Sequence, residues 1–309
     1  MNRKFSKQGA LEISFPWLFA IVAGIFILFL SIYGVTRFIK TEQTTIDAKT
    51  GKEIGVLLNP LETSFESGAV TYFILPVSTR IYNKCDSIGD FGKQGIQISQ
   101  MSFNKWTETN VNVNFQNKYI FSKDYAEGKK FYVFSKPFQF PFKVADLMYM
   151  TSSLDRYCFA DAPGEISEEL ANLNQENILV ENCSEEDIDV CFGGINCDIN
   201  VNYDMGVVEK EGDSIYFYGD ALMYAAIFSD EYVYECQLNR LMKRVSSLSL
   251  IYNDKASFIS RTGCYSNLDL SFLSGAAESF SNSADISSIG FIADDVGLKN
   301  DANSVCRLW

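Results

Sequence analysis

The sequence predicts an α+β protein in which an N-terminal transmembrane helix is followed by a disulfide-bonded ectodomain of mixed antiparallel sheet and helix. Three observations predict it: one uninterrupted apolar run near the N-terminus, a set of period-two stretches in the first half of the remainder, and a helical apolar stripe in the second half. With 309 residues, 47% of them hydrophobic and 21% charged, the chain can bury one large core or two moderate ones. Its net charge of −13 and the absence of basic clusters exclude nucleic acid as a partner, because phosphates need cations to neutralise them. The charge is uneven: up to Lys40 the chain carries Arg3, Lys4, Lys7, Arg37 and Lys40 against Glu12 alone.

The expected organisation is a basic leader over 1–12, the transmembrane helix over 13–38, a stalk over 39–60, a β-rich subdomain over 61–145 and a cysteine-rich α+β subdomain over 146–309. No charged residue occurs between Ile13 and Thr36. As a helix that stretch is about 36 Å long, enough for a hydrocarbon core of about 30 Å, and no small-x-small cleavage site follows it. Trp17 and Tyr33 fall near its two ends, where amphipathic rings favour the lipid headgroups. The lipid bilayer is therefore an expected partner.

Lysine and arginine are nearly balanced across the helix, so the cysteines set the orientation. All eight, Cys85, Cys158, Cys183, Cys191, Cys197, Cys236, Cys264 and Cys306, follow the helix, their number is even, and none forms a C-x-x-C pair. Four disulfides in an oxidising compartment are expected, which puts the N-terminus in the cytoplasm and the C-terminal domain outside the cell membrane. Spacing does not choose among 105 pairings, although bridges among Cys183, Cys191 and Cys197 are favoured by proximity.

Just before the helix, SKQGALEISFPWLF places Gln8 and Glu12 four residues apart ahead of the apolar run. This segment resembles the class III signal of archaeal type IV pilin-like proteins. The resemblance implies cleavage before Gln8 on the cytoplasmic side and pairing of Glu12 with the freed amine of a neighbouring subunit. It covers about 25 residues of the chain and says nothing of the ectodomain. A carboxylate at the edge of a membrane helix is costly unless it snorkels or finds a partner.

After the helix, Ile39, Ile46, Ile54, Leu57 and Leu58 keep helical spacing up to the Asn59-Pro60 pair, so the anchor continues as a stalk with Gly51 as its weak point. From Ala69 to Phe142 the runs VTYFILPVSTRIY, GIQIS, NVNVNF, KYIF and KFYVFSKPFQFPF read as strands. Within them Val111, Val113 and Phe115 fall on one face and the asparagines on the other. Val144 to Ser153 reads as a short helix, and Ser167 caps another running through Leu173. The alternation Ile195, Cys197, Ile199, Val201, Tyr203 predicts a long half-buried strand, and MGVVEKEGDSIYFYG a hairpin turning near Gly212. Tyr234, Leu238, Leu241, Val245, Leu248 and Tyr252 make the apolar stripe of a helix capped by Ser229 and Asp230. Arg240, Lys243 and Arg244 on that helix form the ectodomain's basic patch. Short helices are expected at Leu270–Phe280 and Ile286–Val296, with Cys306 pinning the tail.

Candidate chemistry is sparse. The chain has no histidine, which removes imidazole-based triads and His-ligated metals. No cofactor is expected. Calcium is the one metal considered: Asp198, Asn200, Asn202 and Glu209 match positions 1, 3, 5 and 12 of a calcium loop, but Tyr203 stands where such a loop needs glycine. A looser surface site could draw on Glu185, Glu186, Asp187 or Asp189. Ser102-x-x-Lys105, Ser266-Asn267 and Lys49-Thr50-Gly51 match fragments of penicillin-binding enzymes in the wrong order. The sequence thus favours a structural or interaction protein of the cell envelope, pilin-like and without enzymatic turnover, whose partners are other copies or other envelope proteins. The alternative is an anchored extracellular hydrolase working through a pair of carboxylates in a concave pocket.

Overall fold

The computed structural model describes residues 15–59, 69–102, 104–107, 112–194, 197–261, 263–266, 268–303 and 305–309. Two compact units are present, Met1–Ile46 and Asp47–Trp309. Gln8 and Glu12, Pro60, Val111, Ile195, Asn196 and Asn267 lie outside the described residues.

The described residues of the first unit are helical. Helix α1 (Phe15–Leu57) is unbroken, and an 18-residue window within it reaches a mean hydropathy of 2.6 with none of that window buried. The few hydroxyls in the apolar part are satisfied by the helix itself: Ser31 donates to the carbonyl of Ile27 at 2.8 Å and Thr36 to that of Ile32 at 2.9 Å.

In the second unit the chain forms β1 (Ala69–Asp86), β2 (Lys93–Ser102), β3 (Lys105–Trp106), β4 (Asn112–Phe115), β5 (Tyr119–Phe121), β6 (Tyr125–Gln139) and β7 (Lys143–Ser152). These make one sheet in the order β3-β2-β1-β6-β7-β5, with β4 also on β2. Next come β8 (Tyr157–Ala160), α2 (Gly164–Asn172), β9 (Ile178–Leu179), β10 (Ile188–Phe192), β11 (Ile199–Asn202), β12 (Val207–Lys210) and β13 (Asp213–Tyr216). Their sheet runs β13-β12-β11-β10-β8-β9, parallel from β9 through β11 and antiparallel beyond. The chain ends in α3 (Asp220–Phe228), α4 (Glu231–Ser260), α5 (Ser271–Glu278), a 3-10 turn and α6 (Ile286–Ala302).

The centre of the first sheet is covered on both faces. Phe73, Ile81, Phe131, Val133, Met148 and Met150 point to one side and pack with Ile54 and Leu58 from the end of α1. Phe121, Phe134, Leu147 and Tyr149 point to the other and join a larger core with the second sheet and helices α2 to α6. The predicted stripe of α4 supplies part of that core: Tyr234, Leu238, Leu241 and Val245 are fully buried, and Leu248 and Tyr252 pack against its margin. The β-rich and cysteine-rich segments therefore share one core.

Four local expectations are corrected. Val144–Ser153 is not a helix but strand β7, held between β6 and β5; almost every residue is covered, and a strand buried on both faces loses the alternation that would betray it. Helix α2 begins at Gly164 after Pro163, because proline suits a helix entrance, and the Ser167 hydroxyl donates to the Ala162 carbonyl at 3.1 Å instead of capping. The strand at β11 spans only Ile199–Asn202, since Cys197 is drawn off to bridge Cys191. Gly51 is a contact rather than a weak point: a Cβ there would stand 3.0 Å from Val113 of β4.

The cysteines pair as Cys85–Cys236, Cys158–Cys183, Cys191–Cys197 and Cys264–Cys306. The first ties β1 to α4, and the last ties the end of α4 to the chain terminus. Of the expected local bridges only Cys191–Cys197 forms; Cys183 goes to Cys158 on β8.

Candidate functional site

Two clefts flank helix α3, and both are built around a lysine. The first, of about 690 Å³, lies where β12, β13 and the α3–α4 junction meet. It is placed by a tight hairpin: Glu211 (φ 54°) and Gly212 (φ 95°) are both left-handed, as a two-residue turn between twisted strands requires. That turn leaves Lys210 at the end of β12, reaching under α3. Its ammonium donates to the carbonyls of Ala226 at 2.6 Å and Ile227 at 3.2 Å, and to that of Ser229. These are carbonyls of the last turn of α3 and of the residue that ends it, where a cation is favoured by the helix dipole and fills acceptors the helix leaves unused. Burial pulls the Lys210 pKa down to about 8. Ile188, Ile199, Ile215, Tyr157 and Phe228 form apolar walls, with Asp198, Asp213 and Glu231 among the acidic groups that also line the cleft. Asp230 accepts the backbone N–H of Asp124 at 2.7 Å, locking the start of α4 to the first sheet.

The second cleft, of about 850 Å³, lies between α2 and the start of α3. Lys136 of β6 reaches both oxygens of Glu169 on α2, at 2.6 and 2.8 Å, and Asp220 on α3 at 3.5 Å. Tyr224 donates to Glu169 at 3.0 Å and Tyr203 to Asp220 at 2.8 Å. Burial first, and then the neighbouring Asp220, push the Tyr203 phenol up to about 12. The result is a chain of phenol, carboxylate, ammonium, carboxylate and phenol. Glu169 and Asp220 are a pair of carboxylates facing one cleft, as a hydrolase would need, but both are held by the same lysine.

The residues singled out in the sequence are scattered. Asp198, Asn200 and Asn202 lie at or along β11, with Asn200 paired in the ladder opposite Glu209, so they form a sheet rather than a calcium loop. Asp198 accepts the N–H of Asp189 at 3.0 Å, and Asp187 accepts that of Ser184 at 2.8 Å and pairs with Arg156 at 3.1 Å. Among the described residues no three acidic or cysteine side chains stand together as a metal site. Lys49, Thr50 and Gly51 belong to α1, away in sequence and element from Ser102 and Lys105 at the β2–β3 turn.

The basic patch of α4 is also corrected. Arg240 is fully buried, and its guanidinium donates to the carbonyls of Phe91 at 3.1 Å, Lys118 at 2.9 Å and Gln116 at 2.9 Å and to Gln237 Oε1 at 2.6 Å. Lys243 donates to the carbonyls of Ser87 and Gly89 at 2.6 and 2.9 Å. Gln237 continues the network by donating to Gln94, which donates to Asn83 at 2.6 Å. Sequence reading missed Asn83, Gln94 and Gln237. A signal existed for Gln237 and Arg240, which lie three and six residues after Tyr234 on the inward side of the stripe.

The class this structure defines is an α+β domain with mixed sheets and four cysteine bridges, joined to an N-terminal helix long and apolar enough to cross a membrane. The chain matches no protein-family model, no curated protein and no solved structure.

Proposed function

We propose that this chain is a single-pass membrane protein whose disulfide-bonded domain lies outside the cell and acts by contacting other envelope proteins or further copies of itself, in the manner of a pilin-like subunit. The observation that carries the reading is the state of α1 from Phe15 to Ile39. Phe19, Ile25, Phe26, Ile27, Leu28 and Phe29 are each more than 60% exposed, on every side of the helix. A helix apolar all round is at home in a protein core or in lipid. In water each such side chain forgoes about 1.5–3 kcal/mol of burial, so a bilayer is the environment that this stretch fits. Four cysteine bridges fit an oxidising compartment on the far side, with the N-terminus in the cytoplasm. The spacing of Gln8 and Glu12 supports the pilin-like assignment. Lys136, Glu169 and Asp220 are paired with one another and Lys210 with backbone carbonyls, which favours interaction over hydrolysis.

The test is to recover the protein from its native membrane without reductant, then measure its intact mass, its N-terminal residue and its sensitivity to protease added outside intact cells. The expected result is retention in the membrane until detergent is added, eight hydrogens missing from the thiols, a start at Gln8 and external cleavage of the domain. A chain released without detergent, or carrying free thiols, would overturn the anchored extracellular reading; a start at Met1 would remove the pilin-like part alone.

A further inference from the structure

We infer that Asn182 is a modification site, the acceptor of an N-linked oligosaccharide on the extracellular domain. The chain has 21 asparagines, and Asn182 alone is followed two positions on by serine or threonine, in Asn182-Cys183-Ser184, with no proline between. That spacing matters because a hydroxyl two residues ahead can reach the side-chain amide and help present its nitrogen to an incoming sugar. In the transfer, Asn182 Nδ2 forms a bond to the anomeric carbon of an oligosaccharide carried on a polyprenyl phosphate. The bond from that carbon to the phosphate oxygen breaks, its electron pair leaves with the carrier, and the amide gives up one proton to a base of the membrane transferase. The inference goes beyond the reading of an anchored extracellular domain and rests on it, because the acceptor must cross the membrane to meet the sugar.

A sugar is bulky and hydrated, so the folded chain must hold its acceptor in solvent. Asn182 meets that condition. It lies in the connection from β9 to β10, where Glu181, Asn182, Cys183, Ser184, Glu185 and Glu186 are all exposed. Its φ of 59° is left-handed, a conformation asparagine tolerates and uses in turns. Among the described residues the Asn182 side chain has no hydrogen bond or ion pair, so a sugar on its amide displaces no internal contact. The turn is held on its C-terminal side: Cys183 is bridged to Cys158 of β8, and Asp187 accepts the Ser184 N–H at 2.8 Å and pairs with Arg156 at 3.1 Å. No residue from 181 to 187 lines either cleft, so the sugar is attached outside both. The same restraints set the order of events. They fix the backbone between Asn182 and Ser184 once the domain has folded, so transfer acts on the chain as it crosses the membrane, before Cys158–Cys183 closes.

The experiment measures the intact mass and the peptide masses of the full chain recovered from its native membrane without reductant, alongside protease added outside intact cells. Once the N-terminal residue and the bridges are allowed for, wild type is expected to be heavier than its polypeptide by several sugar residues, all on the peptide that contains Asn182. Asn182→Gln and Ser184→Ala are each expected to lose the whole of that added mass, and Ser184→Thr, which keeps the hydroxyl, to retain it. Ser184→Ala leaves Asn182 and its left-handed turn in place, so its loss of sugar reads the motif and not the fold. A wild type at the mass of the bare polypeptide, sugar carried on another residue, or added mass that survives in either Asn182→Gln or Ser184→Ala would each overturn the inference. A bare chain whose domain is cut from outside the cell defeats this inference alone. A bare chain whose domain is protected defeats the extracellular reading along with it.

Discussion

The ring of Phe115 occupies the place a side chain at Gly55 would need: a Cβ on Gly55 would fall 2.1 Å from its Cζ. Gly51, one turn earlier, gives Val113 similar room. The two glycines face β4 and let the end of α1 lie close on the first sheet, where Ile54 and Leu58 enter the core. The helix end is thus joined to the domain by shape.

Gly55→Ala is expected to destabilise the domain by about 1–3 kcal/mol, the usual cost of overpacking, even though alanine favours helix. Phe115→Leu in the same chain should restore part of the loss. Urea unfolding of the four chains of that cycle checks this; additive effects of the two substitutions would show that the notch does not matter.

Arg240→Met keeps the bulk of the side chain and strands three carbonyls and the Gln237 amide oxygen without their donor. Each buried acceptor left unmatched costs about 1–3 kcal/mol, so a loss of about 3 kcal/mol or more is expected, with Arg240→Lys intermediate. Unfolding of the methionine variant within about 0.5 kcal/mol of wild type would contradict the role assigned to the guanidinium.

The bridges should differ in weight. Cys85–Cys236 closes 151 residues and Cys191–Cys197 only 6. On the chain-entropy model these correspond to about 5 and about 2 kcal/mol, so the paired serine substitution Cys85→Ser, Cys236→Ser should lower the melting temperature more than Cys191→Ser, Cys197→Ser. Thermal melts of the two variants under oxidising conditions decide the order.

The alkaline limb of stability should have two parts. Lys210 has a folded pKa of about 8 against an ordinary 10.5, so between those values the folded chain has released a proton that the unfolded chain still holds, and stability rises with pH. Burial raises the phenols of Tyr149 and Tyr234 well above 10, so past pH 10 the unfolded chain ionises first and stability falls. Urea midpoints from pH 7 to 11 should pass through a maximum. Lys210→Met should flatten the rising part; a profile with the same rise as wild type would exclude Lys210 as its source.

Much of the fold was legible as pattern. The stripe from Tyr234 to Tyr252 follows the period of a helix packed on one side, and VTYFILPVSTRIY and NVNF follow that of half-covered strands. Val144–Ser152 failed as pattern because it is covered on both faces, and no period survives when every position is apolar or enclosed. The candidate site was less legible. Lys210, Lys136, Glu169 and Asp220 are ordinary charged residues in sequence, and their contacts join positions from 16 to 84 residues apart.

By itself the sequence determined the apolar helix, the α+β composition and the even set of cysteines after the helix, because these depend on local composition and short-range periodicity. Tertiary structure alone decided which cysteine meets which, and that Arg240 is a buried clamp and not a surface charge. Each of these depends on what another part of the chain brings alongside, and no local pattern encodes a neighbour 100 residues away.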